Sequence, residues 1–295
     1  MSPERIGPYE LEEKLGEGPH GESYRARDTV TPRTVVVKLI RRDLFNAPPE
    51  VFQFLDSARR LTEVNHPNLA TIYGAELTEN AVCLAHEYVE GTSIGALVES
   101  EAIPYTRVLD FAIQIARGIK ELHTHGLIHG HISTDNVMVD AKGNIKLLDF
   151  GLPALGPGYL HETPPATERV SVFVAEENAP PAEADGDFFA LGGLFYEMLT
   201  GRPPYDDSGS QTTTGLSVMP PEVRLLVEKL LSSERDEQFI DANELLVTLV
   251  EMKRFAELRP EQIDEKMPST RPYVIISAIA FALIILWWYV TTYHK

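Results

Sequence analysis

Between Leu15 and Tyr24 the chain reads LGEGPHGESY, placing glycines at 16, 18 and 21 between two runs of strand-like alternation. Glycines in this spacing let a backbone turn tightly and approach a ligand closely, but the element after the third glycine decides the fold. A dinucleotide-binding crossover needs a helix at that point and an acid about 20 residues on. Here a strand comes instead, and then the β-branched run Thr34 to Ile40 (TVVVKLI), which carries Lys38. The dinucleotide reading is therefore disfavoured, and a small sheet opens the chain.

Downstream the period changes. Pro49–Val64 has helical spacing at Phe52, Leu55, Leu61 and Val64 and stops before His66-Pro67, and Ala81–Tyr88 returns to strand. After Gly91 the pattern is helical. Tyr105–His123 sets Val108, Phe111, Ile115, Ile119 and Leu122 on one stripe, Asp187–Leu199 forms a second apolar helix, and Pro221–Lys253 supplies two or three more. A strand-rich lobe followed by a helical lobe is expected. Glu162–Ala184, rich in proline, alanine and acids, reads as a long irregular segment.

Composition bounds the partners. Hydrophobic residues at 43% and charged residues at 24% are ordinary for a globular chain of 295 residues, which excludes wholly disordered and collagen-like classes. A net charge of −18 repels phosphate backbones, so no nucleic-acid partner is expected. The single cysteine, Cys83, permits no intrachain disulfide and reads as an inert buried strand residue.

The two ends differ in kind. Met1–Lys14 is polar and has no apolar core of a secretion signal. Tyr273–Val290 is uncharged over 18 residues, enough for about 27 Å of hydrocarbon, and is bordered by Tyr273 on one side and Trp287, Trp288, Tyr289 and Tyr293 on the other. A transmembrane helix is expected over 273–290. Lys253, Arg254, Arg259, Lys266 and Arg271 precede it and only His294 and Lys295 come after, so the large N-terminal part stays cytoplasmic beneath a single-pass cell membrane, the inner one where there are two. The expected organisation is a tail over 1–8, a domain over 9–256 with lobes at about 9–88 and 91–256, a linker over 257–272, the span, and a short tail over 291–295.

Strand, glycine loop, strand and lysine is the phosphate-covering order of protein kinases, and further motifs arrive in sequence. They are His66-Pro67-Asn68, Glu87-Tyr88, the stretch Ile128–Val139 (IHGHISTDNVMV), Asp149-Phe150-Gly151, and Tyr196–Gly201 (YEMLTG). From about Tyr9 to Phe255 the chain resembles a bacterial, eukaryotic-like serine/threonine protein kinase. The resemblance implies an α+β, two-lobed kinase-like fold with ATP at the cleft, here followed by the one C-terminal transmembrane helix. It implies that Gly16, Gly18, Gly21, Lys38 and Glu87 bind the nucleotide, that Asn136 and Asp149 hold Mg²⁺, and that Asp187 braces the catalytic-loop backbone.

Departures from the family pattern gather on the transfer side. The catalytic base position is His131, the lysine that steadies the transferring phosphate is Ser133, and the arginine that reads a phosphorylated activation segment is Gly130. The glutamate that pairs with the strand lysine falls at Ser57, with Asp56 turned about 100° away on the helix. Ala175-Glu176-Glu177 stands for A-P-E, and Gln238 for the arginine partner of its last glutamate. Positioned acid–base catalysis is worth roughly 10²–10⁴ in rate, so several such losses together imply MgATP binding without efficient transfer, a pseudokinase. Its expected partners are an active kinase or another cytoplasmic signalling protein, and the lipid bilayer. Two alternatives stand beside it: an active divergent kinase using His131 as base, and a kinase fold that no longer binds nucleotide. The run His123, His125, His129, His131 has poor zinc spacing, and the resemblance already accounts for His123 and His129.

Overall fold

The computed structural model describes residues 5–18, 21–45, 48–79, 81–100, 102–150, 184–205, 215–216, 219–232 and 237–258. Gly151, the Glu162–Ala184 segment up to residue 183, Ala175-Glu176-Glu177, the linker beyond Leu258 and the expected span over 273–290 lie outside them. Among the described residues no helix is long and apolar enough to cross a membrane.

The first lobe is an antiparallel sheet. Its strands are β1 (Arg5–Ile6), β2 (Tyr9–Gly18), β3 (Gly21–Asp28), β4 (Arg33–Arg41), β5 (Ile72–Leu77) and β6 (Ala81–Glu87), ordered β1-β2-β3-β4-β6-β5. The sheet starts inside the stretch expected to be a tail, because Arg5 and Ile6 pair with Glu10 and Tyr9. Alternation divides β4 between two faces. Val35 and Val37 join Tyr9, Leu11, Ala26, Cys83 and Ala85 in a small outer core, whereas Ile40 belongs with Val82 and Leu84 to the main core. Cys83 is buried there, and burial pushes its thiol up to about 12, so it is unreactive at neutral pH.

Helix α1 (Pro48–Leu61) crosses between β4 and β5. Its buried face is Val51, Phe54, Ala58 and Leu61, spaced three, four and three residues apart, while Phe52 is 65% exposed. The expected stripe is one residue out of phase at its start, since Phe52 and Leu55 satisfy the same local spacing as Val51 and Phe54.

The second lobe opens with β7 (Gly91–Ser93), α2 (Ile94–Ser100) and α3 (Tyr105–Thr124). All five residues of the stripe read along α3 are buried. Gly126, at φ +66°, ends this helix: its N–H bonds to the His123 carbonyl and that of Leu127 to the Leu122 carbonyl, both at 3.0 Å. A three-stranded sheet of β7, β8 (Val137–Asp140) and β9 (Ile145–Leu147) lies under the cleft. Helices α4 (Ala184–Thr200), α5 (Pro221–Leu230) and α6 (Ala242–Leu258) complete the core, with α3 packed on α4 and α6. Helix α6 runs through the boundary expected at 256, because Ala256 is still buried against the core.

Candidate active site

The glycine motif forms the β2–β3 hairpin, with Gly16, Gly18 and Gly21 in the strands that flank its tip; Gly18 pairs with Gly21. Gly21 is obligatory: at φ +141° a Cβ would lie 1.8 Å from the Leu39 carbonyl oxygen. Lys14 braces the hairpin by bonding Glu17 and Glu22, and Tyr24 donates to Glu22 at 2.7 Å.

Lys38, on β4 beneath this hairpin, lies 2.6 Å from the Asp149 carboxylate, 111 residues away in sequence. The two side chains keep only 14% and 16% of their exposure. Burial alone would raise the Asp149 pKa, but the charge of Lys38, aided by His86, the Lys38 hydrogen bond and His131, holds it far below the usual carboxylate range. Asp149 has φ +56°, a left-handed conformation unfavourable for a non-glycine residue, immediately before the buried Phe150. Ser57 is on α1 and accepts a 3.2 Å hydrogen bond from Arg60, and Asp56 is exposed beside Arg60. The lysine thus meets the post-β9 aspartate directly.

The loop between α3 and β8 carries the other residues. Asp187, at the start of α4, accepts from the backbone N–H of His129 at 2.9 Å and of Gly130 at 2.7 Å, and from His123 Nε2 at 2.8 Å. A buried carboxylate with three donors locks this backbone, the bracing role expected of it. His129 is fully buried, with its ring edge-on to Phe150 and its Nδ1 accepting from the His131 N–H at 3.2 Å. Burial pushes its pKa down to about 4, and its Nε2 has no hydrogen-bond partner among the described residues.

His131 stands at the base position. The Asn136 side-chain amide donates to its Nδ1 and to its carbonyl oxygen, each at 3.0 Å. A ring nitrogen that accepts a hydrogen bond carries no proton, so in the neutral ring the proton is on Nε2. Burial, with Lys38 also opposing the cation, outweighs Asp149 and lowers the pKa, which leaves the ring neutral at pH 7. Its one lone pair is therefore already engaged. Ser133 is buried beside Asn136, and its carbonyl accepts from the Asn136 N–H at 3.2 Å.

Asn136 turns its amide nitrogen to His131, which leaves Oδ1 without a hydrogen-bond partner among the described residues. With the ionised Asp149 it offers two hard oxygen donors, a set that fits Mg²⁺. Glu87 is engaged differently from the nucleotide contact implied for it. Its carboxylate accepts from Lys146 at 2.9 Å and from the Thr71 N–H at 3.0 Å, tying the end of β6 to β9. Asn68 works similarly as a staple, donating to the Ile145 carbonyl at 2.9 Å and to Gln114 at 3.1 Å. Gln238 is buried and donates to the Ser232 carbonyl, while its own Oε1 has no partner among the described residues.

Sequence reading missed His86. It sits near the end of the apolar strand β6, is 4% exposed, and lies close enough to Lys38 and Asp149 to feel both charges. A histidine within CLAHE, where an apolar residue is expected by alternation, was the available signal.

A six-stranded sheet over a helical lobe, with a glycine hairpin above a buried lysine–aspartate pair, is the architecture of a protein kinase. The chain belongs to that family: the protein kinase domain matches residues 9–264. A probable serine/threonine-protein kinase of Streptomyces coelicolor is 30% identical over 271 residues, covering 84% of this chain and 40% of the relative. The serine/threonine-protein kinase PknB of Mycobacterium leprae is 27% identical over 209 residues, 67% of this chain and 33% of its own length. The chain thus spans well under half of these curated relatives. Among solved structures, the Mycobacterium tuberculosis PknI kinase domain aligns with a TM-score of 0.66 at 19% identity, over 85% of this chain and 98% of that one, a likeness of fold.

Proposed function

We propose that this protein binds MgATP in the cleft but transfers phosphate poorly, and that it acts as a membrane-tethered scaffold or allosteric partner in signalling. The observation that carries this reading is the state of His131. The base position holds a neutral imidazole whose lone pair is taken by Asn136, so it has no free site for the proton of an attacking hydroxyl. Ser133 adds no charge where the family has a lysine. The nucleotide side keeps its charges: Lys38 for phosphate oxygens, and Asp149 with Asn136 Oδ1 to hold Mg²⁺. Bound there, the ion neutralises phosphate charge, and the protein residues orient the chain of phosphates.

A second reading, an active divergent serine/threonine kinase, is favoured by the relatives that are themselves named serine/threonine kinases. One experiment separates the two. MgATP stabilises the folded chain by about 2.7 kcal/mol at a hundredfold excess over Kd, and labelled phosphate does not accumulate on the protein or on a basic substrate. Robust incorporation abolished by His131→Ala establishes the active kinase instead. Absence of any thermal shift at millimolar MgATP removes the nucleotide from both.

The membrane anchor rests on the uncharged run over 273–290 and the cations before it. Deleting 273–295 should release the protein into the soluble fraction with its thermal transition intact. Aggregation of the truncated chain would make the run part of the core.

A further inference from the structure

Helix α6 is apolar on two sides. Ala242, Leu245, Leu249 and Ala256 are buried in the core, while Val247, Val250 and Leu258 stay 58%, 47% and 73% exposed. At about 100° per residue those three fall within about 80° of arc, on roughly the opposite side of the helix. A surface helix needs one apolar stripe for its own core, so the second is a face with nothing over it among the described residues. It borders a groove of about 470 Å³. Ile113 and Arg117 from α3, Val250 and Lys253 from α6, and Pro67 and Asn144 from the loops before β5 and between β8 and β9 line that groove.

The sequence that follows α6 supplies a segment suited to this groove. Residues 259–272 read RPEQIDEKMPSTRP, polar but for Ile263 and Met267 beside the prolines. Pro260 disfavours helix at Arg259, so the chain leaves the axis of α6 where the exposed stripe ends. From Leu258 back to Val250 is about 12 Å along the helix. Residues 259–263 reach about 16 Å when extended, enough to return Ile263 to Val250. Ile263 and Met267 stand four apart, so a helical turn sets both on one side with Asp264 at its border. The charges match as well. Arg117 is exposed and has no ion-pair partner among the described residues, whereas Lys253 is held by Asp110 and Glu257.

We propose that residues 260–268 of this chain fold back into the groove between α3 and α6, with Ile263 and Met267 covering the exposed stripe and Asp264 pairing with Arg117. Covalent attachment makes a weak contact sufficient, because a short tether holds the segment at an effective concentration of about millimolar. The docking stands apart from the nucleotide reading, and only its consequence at the membrane rests on the anchor proposed above. With 260–268 docked, residues 269–272 alone separate the groove from the span, about 13 Å of extended chain where all of 259–272 would allow about 46 Å. The α3–α6 face is thereby held near the bilayer, and the domain takes one orientation on it.

Cross-linking tests the docking directly. Cys83 is buried with its thiol pushed up to about 12, so an engineered pair of cysteines reports without interference from it. In the full chain in mild detergent, gentle oxidation should join Val250→Cys to Ile263→Cys at least about tenfold faster than Phe52→Cys to Ile263→Cys, whose first member lies on α1 in the other lobe. Arg117→Glu should slow the first pair by about threefold, and adding Asp264→Lys should restore it. Phe52, Val250 and Arg117 are all exposed, so these substitutions do not cut into the core. Equal closure of the two cysteine pairs overturns the docking, and closure indifferent to the charge changes overturns the part given to Arg117. Disulfides that form only between two chains, seen as dimers on a non-reducing gel, overturn the fold-back and assign the groove to the segment of a second copy. Flotation with phosphatidylcholine vesicles tests the anchor separately: a chain that does not float loses the consequence at the membrane, while the cross-link still decides the docking.

Discussion

The two sides of the cleft are built from the same fold but hold charge differently. On the side proposed for the nucleotide, Lys38 and Asp149 form a buried ion pair from distant parts of the chain, and the Asn136 side-chain oxygen has no hydrogen-bond partner among the described residues. On the proposed transfer side, Gly130, His131 and Ser133 carry no charge at pH 7, although Asp187 holds the backbone N–H groups of His129 and Gly130 at the start of the loop. Positioning and reactivity are therefore separable. A loop can keep its shape through one buried carboxylate under its main chain while the side chains above it change.

The largest effect expected from this contrast is on phosphate transfer. Wild type should lag a family member with an aspartate base by about 10²–10⁴ in rate. His131→Asp combined with Ser133→Lys should recover at least about tenfold in labelled-phosphate incorporation, because a carboxylate at 131 is ionised at pH 7 and a lysine at 133 restores a cation. If the double variant gains nothing, the defect lies beyond these two positions.

On the nucleotide side the matching experiment is Lys38→Met. Removing one member of a buried pair leaves an uncompensated charge on Asp149, and such losses cost about 3 kcal/mol. Chemical denaturation should register the loss, and the MgATP-induced thermal shift should vanish. Adding Asp149→Asn should return part of the stability, since the stranded charge is then gone. A Lys38→Met protein as stable as wild type would mean that the pair is too solvated to matter.

Acid should weaken the fold before it reaches the carboxylates. His129 titrates at about 4 when folded and near 6.5 when unfolded, so the unfolded chain takes up the proton first. Stability is whole above pH 6.5 and declines as pH falls towards 4, by about 3 kcal/mol from this residue alone. His86 and His131 act in the same direction, and Asp149 extends the decline to lower pH. His129→Phe should flatten the slope between pH 6.5 and 4. An unchanged slope would assign it elsewhere.

How much of this was legible in the sequence depends on range. The strand around Lys38 and the stripe of α3 were readable because period and burial agree within one element. Strand β1 was not, since two residues carry no period. The start of α1 is misread from spacing alone because Phe52 keeps helical spacing while pointing to solvent. The Lys38–Asp149 pair was reachable only through resemblance, and the contact from Asn136 to His131 not at all, because irregular loop geometry decides it. His86 was hidden by its neighbours, as alternation in β6 asks only for an inward residue and says nothing of what a polar one would do there.

The smallest effect is expected where the comparison is most easily tested for error. Ser57 occupies the position of the family's helix glutamate, and Ser57→Glu would restore that acid on α1. Lys38 already lies 2.6 Å from Asp149, so a second carboxylate gains only by drawing the lysine from its present partner. Ser57 is also half-buried and bonded by Arg60, which a new glutamate would engage first. An added partly exposed ion pair contributes about 0–1 kcal/mol, so MgATP affinity should change by less than about fivefold and phosphate incorporation should not rise. A gain of more than about tenfold in either, measured by titration and by labelled phosphate, would place the fault of the cleft in the helix and not in the loop.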